Sequence, residues 1–178
     1  MPVPTWTAPP TKIAGDLITA SDWNNAGADL RWLYWRPAAI AWKTSSTSVA
    51  PTTWTTISFD SEKYDPYGFH STSVNTSRLT VPAGLGGTYR ICAQWGTWTG
   101  SSPGLADIAI RLNGATDIAW QSHQLGGIGM ATGWISTHYD LAAGDYVEAR
   151  VYHVAAASVS IPSDSLGPLF SISHLGTT

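Results

Sequence analysis

The pattern of apolar and polar positions changes period once along this chain, near residue 38. Before that point Trp23, Ala26 or Gly27, Leu30, and Leu33 or Tyr34 recur at alternating steps of three and four, the spacing of one helical face. Thr19 is a good N-cap. Asp22, three residues on, makes a variant of the capping box and complements the helix dipole. Pro37 ends the run. The pattern predicts a helix of about 16 residues, marginal in water unless its apolar face is packed. Trp32 and Trp35 lie on it, with Trp6 upstream and Trp42 downstream. Ahead of it, Pro2, Pro4, Pro9 and Pro10 make residues 1–14 an extended arm.

From Ala38 the chain alternates as strands do. Tyr89, Ile91, Ala93 and Trp95 fall on one face, Arg90, Cys92 and Gln94 on the other. Asn113-Gly114 reads as a hairpin turn and Ala143-Gly144 as another. WISTHYDL, DYVEARVYHV and LFSISHL complete the alternating runs. Roughly eight to ten strands with regular turns predict an all-β, antiparallel sandwich or jelly roll. The reading divides the chain into an arm and helix, 1–42, and a β domain, 43–178.

Composition sharpens this. Charged residues are only 12%, with two Glu and three Lys, while Trp numbers ten. Such a surface suits a protein covered by copies of itself or by neighbours. A net charge of −3 and no basic tract exclude binding by phosphate neutralisation, so no nucleic-acid partner is expected. The apolar runs are too short for membrane insertion. The first residues lack a secretory pattern. Cys92 stands alone, which permits no intrachain disulfide and fits synthesis in a reducing cytoplasm. It reads as a small residue within a strand.

Candidate chemistry is sparse. His70, His123, His138, His153 and His174 are each separated by at least 15 residues and form no ligand motif. No Gly-x-Ser-x-Gly occurs, and the glycines at 84–87 and 126–129 open no nucleotide loop. No catalytic residue, cofactor or resident metal is expected. The small acidic cluster Asp60, Glu62 and Asp65 is a candidate for Ca²⁺, set against a solvated turn. Trp95, Trp98, Trp120 and Trp134 lie in or beside turn-rich parts, near Asp107, Gln121 and His123. Stacking on sugar rings makes Trp98, Trp120, His123 and Trp134 candidate glycan or receptor contacts. The competing reading is packing in a core or at a subunit axis.

Two resemblances follow from ordered motifs. TWTTISFDSE (Thr53 to Glu62), RLTVPAGLGGTYRICAQW (Arg78 to Trp95), IRLNG (Ile110 to Gly114), LAAGDYVEARVY (Leu141 to Tyr152) and LFSISHL (Leu169 to Leu175) together resemble the C1q/tumour-necrosis-factor type of jelly roll. The last strand reads Phe170-Ser171-Ile172 where that family carries Phe-x-Gly. This resemblance implies a homotrimer. Separately, Ala14, Gly15, Asp16, Leu17, Ile18, Thr19, Ala20, Trp23 and Asn24 are similar to the opening of many small structural proteins of tailed bacteriophages. That implies a virion component made in the host bacterial cytoplasm, docked on capsid or tail proteins. Trp6, Ile13, Leu17, Ile18, Trp23, Leu30, Leu33 and Trp35 would form the anchor. Tail tip or fibre, capsid decoration, and glycan-binding tail protein all remain open on these motifs.

Overall fold

The computed structural model describes residues 11–34, 36–96, 104–125, 132–163 and 167–176. Helix α1 spans Ala20–Tyr34. Its start follows from the predicted capping box. Asp22 Oδ2 accepts from the Thr19 amide and hydroxyl, each at 2.7 Å, and the Asp22 amide donates to Thr19 Oγ1 at 3.2 Å. Lys12 Nζ lies 3.0 Å from the same carboxylate. The hydroxyl and amide of Thr19, and then Lys12, hold the Asp22 pKa down at about 2. A depressed carboxylate stabilises above its unfolded pKa and loses that contribution as pH falls. Helical circular dichroism from α1 should therefore fade as pH drops from about 4 towards 2, and Asp22→Asn should abolish that step.

Twelve strands follow among the described residues: β1 (Ala38–Trp42), β2 (Thr47–Val49), β3 (Thr55–Thr56), β4 (Ser61–Tyr64), β5 (Arg78–Thr80), β6 (Gly87–Trp95), β7 (Gly104–Leu112), β8 (Thr116–Leu125), β9 (Gly133–Leu141), β10 (Tyr146–His153), β11 (Val159–Ile161) and β12 (Leu169–Gly176). The excess over eight to ten comes from pieces of two to four residues, β2 to β5 and β11. These are too short to declare a period. One sheet has the order β4-β1-β12-β6-β9. A second has β3-β10-β7-β8, with β5 also on β10, and β11 pairs with β2. Every described pairing is antiparallel.

The two sheets enclose one apolar core. Tyr89, Ile91, Ala93, Trp95, Phe170 and Ile172 from the first sheet meet Ile108, Ile110, Val147, Ala149 and Val151 from the second. The predicted two-face division of β6 is thus correct, and the face of Tyr89, Ile91, Ala93 and Trp95 is the inward one. Tyr89 donates its hydroxyl to Leu85 O inside this core, and burial pushes its pKa up. Gly133 lies beside Trp95 in register. A Cβ there would fall 2.1 Å from the indole, so only glycine lets Trp95 lie flat across β9. Asn113 and Gly114 both take positive φ, 49° and 65°, at the β7–β8 turn.

The division at residue 42 moves. Ala38–Trp42 is β1, paired with β12 and β4 inside the first sheet. The jelly roll therefore begins at Ala38, because the alternation starting there places Ala39 and Ala41 in the core.

Candidate functional site

Alternation fixes two exposed sheet faces, and each strand's outward residues follow from its inward ones. On the first sheet the register aligns Trp42, Leu169, Gln94 and Trp134 in one row. The next row is Ile40, Ser171, Cys92 and Ser136, and the third is Ala38, Ser173, Arg90 and His138. The first two rows carry no ionisable side chain other than the Cys92 thiol. Cys92 Sγ donates to Ser136 Oγ at 3.3 Å, and the Lys63 ammonium sits 4.2 Å from the Trp42 ring centre at the sheet's flank. Trp134 remains 66% exposed. Charge returns at the far end, where Arg90, His138 and Asp140 gather and Thr88 donates to Asp140. An open pocket there is lined by Thr88, His138, Tyr139 and Asp140.

The second sheet turns a different face outward. Arg150, Ala109 and Trp120 form one row; Tyr152, Asp107 and Ser122 form the next. Trp54, just ahead of β3, packs on Tyr152 with centroids 5.5 Å apart and edge-on to Trp120 at 6.3 Å. The Arg150 guanidinium lies 4.3 Å from the Trp54 ring centre and pairs with Asp117.

The candidate glycan residues are not brought together. Trp120 stands on the second sheet's outer face, and Trp134 on the first sheet's. His123 is three positions from Trp120, an odd offset, so it turns inward and meets buried Trp95 edge-on at 5.3 Å. Trp95 itself is a core residue. Trp98 lies outside the described residues.

The acidic cluster is divided between two sets of protein contacts, with Asp60 on the 44–45 turn and Glu62 and Asp65 about His70. Asp60 accepts from the Thr44 amide at 2.6 Å, the Thr44 hydroxyl at 3.0 Å and the Ser45 hydroxyl at 2.6 Å. Burial pushes its pKa up, but those donors and Lys43 outweigh burial and bring it below the usual value. Asp65 accepts three successive amides, of Gly68, Phe69 and His70, at 2.8 to 3.0 Å. Glu62 contacts His70 Nδ1 at 2.9 Å. Each carboxylate accepts from protein donors in this structure. Among the described residues no group of three or more His, Cys, Asp or Glu is placed to hold a metal. His153 is a buried strand histidine whose Nδ1 accepts from the Ala155 amide at 3.1 Å.

The anchor candidates sit apart from the sandwich. Among the described residues no strand makes extensive contact with α1. Ile13, Leu17, Ile18, Trp23 and Leu30 are 73%, 85%, 72%, 74% and 66% exposed. Asp29 is the buried residue among the described side chains of α1. Trp6, Trp35 and the Leu33 side chain lie outside what the structure describes.

No protein-family model matches the sequence, and no curated protein matches it. Solved structures do. Eiger, a TNF from S. frugiperda, aligns over 80% of this chain and 94% of its own at a TM-score of 0.58 and 12% identity. Murine APRIL aligns over 79% of this chain and 100% of its own, at 0.60 and 10%. The globular domain of zebrafish complement 1qA aligns over 80% and 100%, at 0.56 and 11%. The fold is a C1q/TNF-like jelly roll. In that jelly roll the charge-poor outward rows of β1, β12, β6 and β9 are a surface that sequence reading did not assemble. Their signal was partly present in the alternation: Cys92 and Gln94 were placed on one face of their strand, but nothing local told that Ser171 and Ile40 would join them.

Proposed function

We propose that the chain is a non-enzymatic structural protein of a bacteriophage virion: a homotrimeric jelly-roll module docked to the particle by its N-terminal arm and helix. The observation that carries the docking part is the row of exposed apolar side chains from Ile13 to Leu30, attached to a sandwich that does not cover them. Apolar groups held this way mark an interaction surface. The resemblance of Ala14 to Asn24 to the opening of phage structural proteins supports a capsid or tail protein as the partner of that surface. The trimer is supported by the fold likeness and by the uncharged outward rows of the first sheet, whose small, hydroxyl and aromatic residues suit a subunit contact. Three arms on one trimer would then bind together and gain by multivalency.

Deletion of residues 1–35 tests the docking. The remaining jelly roll should keep its β circular dichroism, its melting temperature within a few degrees, and its oligomeric mass. It should no longer co-sediment with particles. Unchanged co-sedimentation would overturn the anchor assignment.

A further inference from the structure

We propose that the copies meet head to tail, with edge strand β9 of one subunit packed against the β1 flank of the next: Trp134 seats on the Trp42–Lys63 pair and Asp140 on Arg36. The inference rests on the trimer reading above and names the contact that closes the ring. It starts from the two margins of the first sheet. On one margin β9 ends the sheet order, and Trp134, His138, Tyr139 and Asp140 are all exposed. On the other margin the Trp42 ring of β1 carries the Lys63 ammonium of β4, 4.2 Å from its centre. Trp42 and Trp134 end the same outward row.

A second row ends in another matched couple. The Pro37 carbonyl accepts the His174 amide at 2.8 Å and extends the β1–β12 ladder past Ala38. Pro37 is buried and Arg36 exposed, so Arg36 continues the outward side of β1, level with Leu175. From there Gly176, Thr88 and Asp140 lead across the sheet to β9. The β9 margin thus offers an indole and a carboxylate. At the same two heights the β1 margin offers an aromatic ring with its cation, and a guanidinium. Indoles pack against such ring–cation pairs, and guanidinium–carboxylate pairs are among the stronger polar contacts. Six residues of strand separate the two heights on each margin, from 36 to 42 and from 134 to 140, roughly 20 Å. Two contacts that far apart fix register and tilt together.

The charges point to a second copy as the occupant. On the second sheet Arg78 pairs with Glu148 and Arg150 with Asp117 inside one chain. Arg36 has no ion pair among the described residues, and Asp140 accepts from Thr88 through one oxygen, leaving the other. Opposite charges left over on opposite margins of one face are answered together by another copy of that face. Contact between unlike margins is heterologous, the kind that closes into a ring. A two-fold contact would set β9 against β9 and leave Arg36 unanswered.

Sedimentation velocity of the full chain over a dilution series tests this by charge reversal. The wild type should sediment as a trimer at micromolar concentration. Arg36→Asp and Asp140→Arg each set like charges against one another across the contact, and each should raise the dissociation midpoint about 10-fold or more. The double variant restores the pair in the opposite sense and should recover most of that loss. Both positions are exposed, so the β circular dichroism should stay that of the wild type. In a Cys92→Ser background, a short bismaleimide should join Arg36→Cys/Asp140→Cys chains into covalent trimers and leave Asp140→Cys chains single. A trimer that Arg36→Asp does not weaken, or a double variant weaker than both single ones, would overturn the head-to-tail contact and leave the trimer standing. Covalent dimers from Asp140→Cys alone would also overturn it, by setting β9 against β9. A wild-type protein at the single-chain mass would overturn the trimer reading itself, and this inference with it.

Discussion

Replacing Ser171 by arginine should turn the proposed trimer into a folded monomer. Ser171 sits on β12, the central strand of the first sheet, in the middle outward row with Ile40, Cys92 and Ser136. It is partly exposed in the single chain, so an arginine there meets water and leaves the sandwich intact. In the trimer the same guanidinium would be driven into an uncharged contact with no acidic partner in its row. A buried charge without a partner costs about 3–5 kcal/mol, and each subunit contributes one. The dissociation constant should rise on the order of 1,000-fold or more. Sedimentation velocity at matched concentrations reads this as loss of the trimer peak. The β circular dichroism should be unchanged, and the melting temperature should cease to depend on protein concentration.

Phe170→Ala, one residue away, should do the opposite. Phe170 points inward, is fully buried, and stacks on Phe59 with ring centres 5.7 Å apart and planes 22° apart. Removing a buried phenyl ring costs roughly 3–5 kcal/mol through lost transfer energy and the cavity left behind. For a domain of this size that corresponds to a fall in melting temperature on the order of 10–20 °C. Thermal denaturation measured by circular dichroism checks it. Below the lowered transition, the oligomeric mass should stay that of the wild type. The contrast between adjacent residues is the point. Strand alternation sends Ser171 to the outward face, where the proposed subunit contact lies, and Phe170 to the core, so the two effects should separate. If both variants lost the trimer equally, or both lost only stability, the assignment of faces would be wrong.

What could be read from the sequence was what is local. Thr19 and Asp22 cap α1 because their partners lie three residues apart, and Pro37 closes it by its own chemistry. The inward set Tyr89, Ile91, Ala93 and Trp95 followed from a period that a nine-residue strand displays in full. The β7–β8 turn followed from Asn113-Gly114. What could not be read depends on pairing between distant segments. Ala38 to Trp42 was grouped with the helix by proximity, yet its hydrogen-bond partners are residues 61–64 and 169–173. The odd offset between Trp120 and His123 already separated their faces, but placing Trp134 on the other sheet required the topology. Trp95 looked available beside a glycine-rich loop; it is buried because Gly133, 38 residues later, leaves room for its ring. The Trp54–Trp120–Tyr152 cluster joins three strands' neighbourhoods and has no sequence signature at all.

The central claim is that the two uncharged outward rows of the first sheet join three copies of this chain. The most direct test is the mass of the full-length protein in solution, by light scattering or sedimentation equilibrium over a dilution series from micromolar to nanomolar. The account predicts three times the 19.0 kDa chain mass at micromolar concentration, with the Ser171→Arg protein at the single-chain mass under the same conditions. A wild-type protein that stays at the single-chain mass throughout would contradict it.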